Sequence, residues 1–431
     1  MAPTDTLLQV ARPQAKFLPK QVVTFFFKRL VNDNNDPTGY FECKACGRSR
    51  KQAAGTGYTN LSPISVDTLR FNMEAVTHEV ETIIGAEMPN EFGLMLDGWS
   101  NGSEYYLAVY ARMTAEPSRF WRQSLFFFLF RKKTVKQCLF LVGDNCSVNK
   151  KLANLMGIPR VGCASHRLIL AVKALLALYE ADVCEVQRLM KQLKTLSEGA
   201  KLRLVTPLRP VLRQQTRWGS THAMLRRYFE LRGFLSMDDD ELAEFLPSPT
   251  TRSRPKALLN ELSDCESVSL ALQGDDVDLL GARDLLDGLI AVKPILKTYI
   301  GASANIIHSP AFESGCRKGL AGDAAKLLRD EKTAIGPFLQ GVECEPQVVA
   351  LQKEGFAERI LKKSKVKPCV ASYPPVSAIP PTSNRVERLF SVARAMIGHE
   401  RQALSPLAVE MLLFLKVNAS YWDVEVVDRC V

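Results

Sequence analysis

Apolar residues recur at helical spacing from Pro63 to Ala86, where Leu69, Phe71, Met73, Val76, Val80 and Ile83–Ile84 share a face until Pro89 breaks the pattern. That spacing predicts an amphipathic helix within 63–90. The period then changes: Phe92–Leu96, Tyr105–Met113, Phe120–Phe130 and Cys138–Val142 are short, rich in strand formers and bounded by Gly, Asn, Pro or charged clusters, which predicts four strands of one sheet. From Arg167 to about Arg232 the helical period returns, with Leu168, Leu170, Ala171, Val172, Leu175, Leu176 and Leu178 opening a largely buried helix. Further helical segments follow around Leu285–Tyr299, at Ala324–Arg329 and at Val348–Leu361. Five prolines within 368–381 predict a stiff extended linker. After it, Ser383 caps a helix whose face runs Val386, Leu389, Phe390, Ala393 and Ile397, and Ser405-Pro406 opens a second one that is apolar on several sides. Such a helix must be buried in the fold or against a partner. The pattern is that of an α/β protein, α-rich overall.

Length and composition narrow the class. At 431 residues, 46% hydrophobic and 24% charged, the chain can bury more than one core and has the composition of a folded, water-soluble protein. No apolar run approaches the roughly 18 residues that cross a bilayer, and Leu125–Phe130, the longest tract, stops at Arg131-Lys132-Lys133. No membrane association is expected. The first twenty residues lack a secretory h-region, and eleven cysteines, an odd number spread from Cys43 to Cys430, form no disulfide framework; an intracellular, reducing setting is the expectation.

Charge is segregated. Residues 191–227 hold nine Lys/Arg, among them Lys191, Lys194, Lys201, Arg203, Arg213 and Arg217, against one acid, Glu198, while 237–287 hold thirteen acids against four bases. Phosphate backbones attract clustered Lys/Arg through counterion release, so 191–227 is a candidate DNA track, with a solvated helix face as the plain alternative.

Two acids follow strand-like runs in the same way: Leu94-Met95-Leu96-Asp97-Gly98 and Leu141-Val142-Gly143-Asp144-Asn145. Each alone reads equally as a turn residue. On neighbouring strand ends they would offer hard oxygen ligands to Mg²⁺ or Mn²⁺, and a third carboxylate, Glu387, would complete a two-metal site if its helix packs on the sheet. The alternative for Glu387 is an Arg/Glu pair on a solvated face.

Five segments occur in order: Leu96-Asp97-Gly98-Trp99-Ser100, Gly143-Asp144-Asn145, Cys163-Ala164-Ser165-His166, Thr216-Arg217-Trp218-Gly219-Ser220, and Ser383-Asn384-Arg385-Val386-Glu387-Arg388-Leu389-Phe390-Ser391. This series, across residues 92–418, resembles that of the hAT superfamily of transposases. The resemblance implies an RNase H-like mixed sheet interrupted by a mostly helical insertion, followed by a helical C-terminal dimerisation region. It implies that Asp97, Asp144 and Glu387 are catalytic and bind Mg²⁺ or Mn²⁺, that Cys163 and His166 support the active site, and that Trp218 stacks on a displaced base, with Arg217 beside it on a phosphate. Leu389, Phe390, Leu412 and Leu415 would be dimer or core anchors. The implied partners are double-stranded DNA and a second copy, in the nucleus.

Phe41-Glu42-Cys43-Lys44-Ala45-Cys46 and Gly55–Leu61 resemble the first half of a BED-type zinc finger. A closed Zn²⁺ site needs four ligands, and beyond Cys43 and Cys46 the next candidate is His78. Between the third and fourth strands Arg131–Gln137 is short for a parallel crossover, which takes a dozen or more residues. The expected organisation is a truncated finger-like basic region (1–62), a helix (63–90), the first part of the core (91–170), a helical insertion (171–367), a Pro-rich linker (368–381), and the end of the core with the C-terminal region (382–431). The expected function is DNA cleavage and strand transfer. The alternatives are a non-catalytic, dimerising DNA-binding descendant and a helical scaffold for protein association.

Overall fold

The computed structural model describes residues 26–32, 36–44, 47, 49–52, 66–113, 120–121, 134–214, 218–235, 242, 244–246, 253–340, 372–397 and 404–430. They fall into two compact units, one built from the described residues up to Glu79 together with those from Asp423 onward, the other from Val80–Trp422. No helix among the described residues is long and apolar enough to cross a membrane.

The first unit contains a three-stranded antiparallel sheet of β1 (Phe27–Val31), β2 (Pro37–Cys43) and β3 (Ser49–Lys51), in that order, with Phe27 paired to Cys43 and Tyr40 to Lys51. Phe27 and Cys43 form its small buried core, with Phe26 and Phe41 against them. Helix α1 (Val66–Glu87) is the amphipathic helix the periodicity predicts, and it is divided between the units at Glu79.

The second unit is built on a five-stranded mixed sheet of β4 (Phe92–Asn101), β5 (Glu104–Met113), β6 (Phe120–Trp121), β7 (Cys138–Gly143) and β8 (Arg160–Gly162), ordered β6-β5-β4-β7-β8. The first three strands are antiparallel; β7 joins β4 on its other side in parallel, and β8 is parallel to β7. Between β4 and β5 lies a two-residue turn in which Gly102 has φ of 61°, the left-handed geometry that matches the twist of a tight hairpin. The expected end of the third strand and the start of the crossover before β7, within 122–133, lie outside the described residues; the described chain resumes at Thr134, and β7 runs parallel to β4.

Helices follow: α2 (Ser147–Met156), α3 (Ala164–Ala177), α4 (Glu180–Gln192), α5 (Leu196–Val205), α6 (Trp218–Leu231), α7 (Ser253–Ala271), α8 (Leu279–Val292), α9 (Lys297–Ile300), α10 (Pro310–Leu320), α11 (Arg329–Ile335), α12 (Asn384–Ile397), α13 (Pro406–Val417) and α14 (Val424–Cys430). Two cores separate them. One is wholly helical, drawn from Ala164 to Ile300. The other covers the sheet: Met95, Phe140, Val142 and Val161 pack with Phe312 and Cys316 of α10, Ile335 of α11, Phe338, and Val386, Leu389 and Phe390 of α12. Within the expected insertion, α10 already packs on the sheet's core; residues 341–371, which include the helix expected at Val348–Leu361 and the insertion's expected end, lie outside the described residues.

The segment read as an extended linker is corrected. Its described part, 372–381, folds into a 3₁₀ turn at Pro374–Ala378; Val376, Ala378 and Ile379 are fully buried, Val376 and Ile379 in the sheet's core. Proline there fixes φ for a tight turn, and the apolar residues between the prolines supply the packing. The C-terminal 423–430 likewise group with the first unit and not with α12 and α13.

Candidate active site

The acid region is set by how α12 lies on the sheet. Side chains two apart on a strand share a face, and those three apart on a helix are neighbours. Trp99 of β4 packs on Phe390 of α12, ring centroids 5.7 Å apart, and stacks on Tyr106 at 5.5 Å. The Arg394 guanidinium lies 5.7 Å from the Trp99 centroid, completing a cation–π contact. Asp97 precedes Trp99 by two positions, and Glu387 precedes Phe390 by three, so the aromatic contact carries Glu387 to Asp97.

The start of α12 is fixed independently. The Ser383 N–H donates to the Cys163 Sγ at 3.3 Å, and Asn384 Nδ2 donates to the Ser165 hydroxyl at 2.9 Å. Cys163 and Ser383 are fully buried. The Ser383 carbonyl accepts the first helical bonds, from Val386 and Glu387. Further along, Arg385 pairs with Asp275 at 2.7 Å and Arg388 donates to the Gln273 carbonyl at 2.7 Å, tying this turn to the loop before α8.

Asp144 follows β7 and is held from α2: Asn149 Nδ2 donates to its Oδ1 at 2.6 Å. Gly143 has no side chain because a Cβ there would lie 2.9 Å from that Asn149 nitrogen. Arg160, fully buried, donates to the Asp144 carbonyl at 2.7 Å and to Asn145 Oδ1 at 3.2 Å, bracing the turn from behind.

Electrostatics place the three acids in one field. Burial, then Glu387 and Asp144, push the Asp97 carboxyl up to about 7, against the opposing Gly98 N–H. Cys163 is pushed up by burial and by Glu387; His166 is lowered by burial and Arg160, with Asp144 opposing. Tyr105 is raised by burial and by Cys146, Asp144 and Asp97. A Cβ on Gly98 would meet the Tyr105 hydroxyl at 2.2 Å, so glycine beside Asp97 makes room for that ring. Glu387 is exposed, while Asp97 and Asp144 are half-buried.

The fit to a divalent ion has two parts. Among the described residues no group of three or more His, Cys, Asp or Glu is placed to hold one metal ion, so there is no all-protein cage. Mg²⁺ does not require one: it is bound by one or two carboxylates, with substrate phosphate and water completing its shell. Hard oxygen donors sharing a field, with Asp97 common to both other acids, fit that mode.

Other expected site residues fall elsewhere. Asp97 does not end its strand: the parallel pairing with β7 stops at Leu96–Gly143, but β4 continues in the hairpin with β5. Trp218, expected to stack on a base, is only 8% exposed, because the face of α6 that carries it also carries Thr221, Leu225 and Tyr228 into the helical core. Of the residues expected as dimer or core anchors, Leu389, Phe390 and Leu415 are buried within the chain, the first two in the sheet's core, and Leu412 is half-buried.

Lys191, Lys194, Lys201 and Arg203 are exposed, and Lys201 pairs with Glu198 at 2.8 Å. Arg213 is not a free DNA contact. Glu180, outside the basic segment, takes both its terminal nitrogens, one at 3.0 Å, and the pairing lowers the Glu180 carboxyl. Arg217 and Cys46 lie outside the described residues. Cys43 is buried beside Phe27, so no zinc set is assembled among the described residues. The residues that sequence reasoning missed are Tyr105, Asn149 and Arg160, all of which come to the site through pairing or packing. Searches against protein-family models and among the curated proteins find no match to the chain.

Proposed function

We propose that this chain is a DNA-processing protein of the hAT transposase type, cutting and joining DNA strands at Asp97, Asp144 and Glu387 with Mg²⁺ or Mn²⁺. One observation carries the reading: Asp97 feels both other acids, one from the adjacent strand end and one from a helix that follows the whole insertion. Three antiparallel strands, then a fourth beside and parallel to the first, support an RNase H-like core.

The cations, when bound, supply Lewis-acid stabilisation of the attacking and leaving oxygens of a phosphodiester. The chain supplies the positioning. Asn149 orients the Asp144 carboxylate, Arg160 holds the turn that bears it, and Cys163 with Ser165 seats the helix that brings Glu387. Asp97, whose carboxyl is held up to about 7, would ligate a cation as its carboxylate. The exposed Lys191, Lys194 and Arg203 draw the DNA backbone in. Self-association and a nuclear location belong to the same reading.

A second reading is a non-catalytic DNA-binding descendant; among the described residues no group of three or more His, Cys, Asp or Glu is placed to hold one metal ion. Nicking of a supercoiled plasmid in Mn²⁺ separates the two. The first reading expects nicks that fall at least about 100-fold in Asp144→Asn and in Glu387→Gln. Salt-sensitive DNA binding without nicking selects the second, and no binding at low salt ends both.

A further inference from the structure

Helix α3 carries His166 towards the acids and, one residue later, Arg167 into a separate cavity of about 100 Å³. Gly162, Arg167, Arg283, Glu313, Ser314 and Arg317, contributed by β8, α3, α8 and α10, supply most of its polar lining. None of Asp97, Asp144 and Glu387 lines it.

Its charge does not balance. Three arginines line the cavity and Glu313 is the one carboxylate in the lining, paired with Arg167. Asp287 reaches the Arg283 Nη2 at 2.8 Å, which still leaves positive charge in excess. Among the described residues no ion pair forms at Arg317. The Arg167 side chain is 4% exposed and that of Arg283 10%; the Nε of each, and the Arg283 Nη2 despite its ion pair with Asp287, has no hydrogen-bond partner, while the Arg283 Nη1 donates to the Ile300 carbonyl at 2.7 Å. A buried N–H donor left unmade is costly, and arginine cannot escape by losing its proton. The volume holds several waters or one tetrahedral anion.

We infer that this cavity binds a phosphate monoester or inorganic phosphate, held by Arg167, Arg283 and Arg317 of its lining. Guanidinium pairs with phosphate through parallel, charge-assisted N–H bonds, and two of the three donors are already fixed in place. A phosphodiester inside a continuous strand does not fit, because the strand would have to leave on both sides, and Val161, Gly162, Ala164, Arg167 and Ala282 close the cavity with buried surface. The monoester has two sources, free phosphate or the 5′-phosphate of a DNA end.

The test is thermal unfolding of the full chain in sodium phosphate against sodium chloride at matched ionic strength. A saturable rise in Tm is expected in phosphate. Arg317→Gln, at the half-exposed rim, weakens the response about tenfold, and Arg317→Lys restores part of it. No rise above chloride, or the same rise in Arg317→Gln and Arg283→Gln, overturns the assignment. Short oligonucleotides then identify the source. Displacement by a 5′-phosphorylated but not a 5′-hydroxyl strand points to a DNA end, displacement by neither points to free phosphate, and equal displacement by both overturns the monoester site. Asp144→Asn leaves the phosphate response in place, so failure of the cutting reading and failure of this one are separable.

Discussion

Two polar regions served by the same helix hold charge of opposite sign. At the acid site the carboxylates meet in half-solvated space, and Asp97 answers its neighbours by holding a proton up to about pH 7. In the arginine cavity Arg167 and Arg283 are enclosed and Arg317 is half-exposed; a guanidinium cannot titrate, so its charge is relieved by a partner of opposite sign. The difference is that between a site tuned by pH and a site tuned by occupancy. Substitutions that remove charge should help the first near neutrality and should change the second only when its anion is present.

The largest effect tests the scaffold under the acid site. Phe390→Ala removes the ring that seats α12 on Trp99, and a loss of about 3–4 kcal/mol in denaturant unfolding is expected, together with loss of the Glu387 contribution to the Asp97 titration. An Asp97 titration that stays near 7 in this variant breaks the link between the aromatic contact and the site.

Next comes Asp97 itself. Its native carboxyl binds a proton more tightly than the unfolded one, so stability is fully present below about pH 4 and declines as pH rises through about 7. Asp97→Asn should therefore stabilise the protein by about 1–3 kcal/mol at pH 8, discounted for partial solvation, and by little at pH 4. Unfolding curves at the two pH values check this, and a variant that is less stable at pH 8 contradicts it. If the proposed cutting reaction holds, the same substitution abolishes nicking, a trade-off between stability and function.

A smaller effect is expected at Asn149→Ala, which frees the Asp144 carboxylate at a cost of about 1–2 kcal/mol and lowers Mn²⁺-dependent nicking more than it lowers DNA binding. The smallest concerns the basic segment. Glu180→Gln releases Arg213 with a stability change below about 1 kcal/mol, yet steepens the salt dependence of DNA binding by about one counterion if the segment tracks the backbone. An unchanged slope removes Arg213 from that track.

Much of this layout is legible in the chain because local periodicity records which side of an element is buried. The strands at Phe92, Tyr105 and Cys138, the helix from Val66 and the final helical pair all show it. Periodicity does not record what a buried face packs against. Trp218, Leu389 and Phe390 are apolar positions whose partners lie within the chain, and the prolines before α12 read as a spacer although Val376 and Ile379 sit in the core. Asp97 could be placed by its strand but not by where that strand ends, since a two-residue turn at Gly102 extends the pairing beyond it. Arg160 and Asn149 were silent because their roles exist only once β7, α2 and β8 come together.

Seating Glu387 through Phe390 and the Cys163 thiol also bears on synthesis. A chain made from its N-terminus has both strand acids and the whole helical insertion before the helix with the third acid is available to dock. A chain that stops short of α12 cannot bring Glu387 to the two strand acids, so the cutting proposed here would require synthesis to have passed that helix.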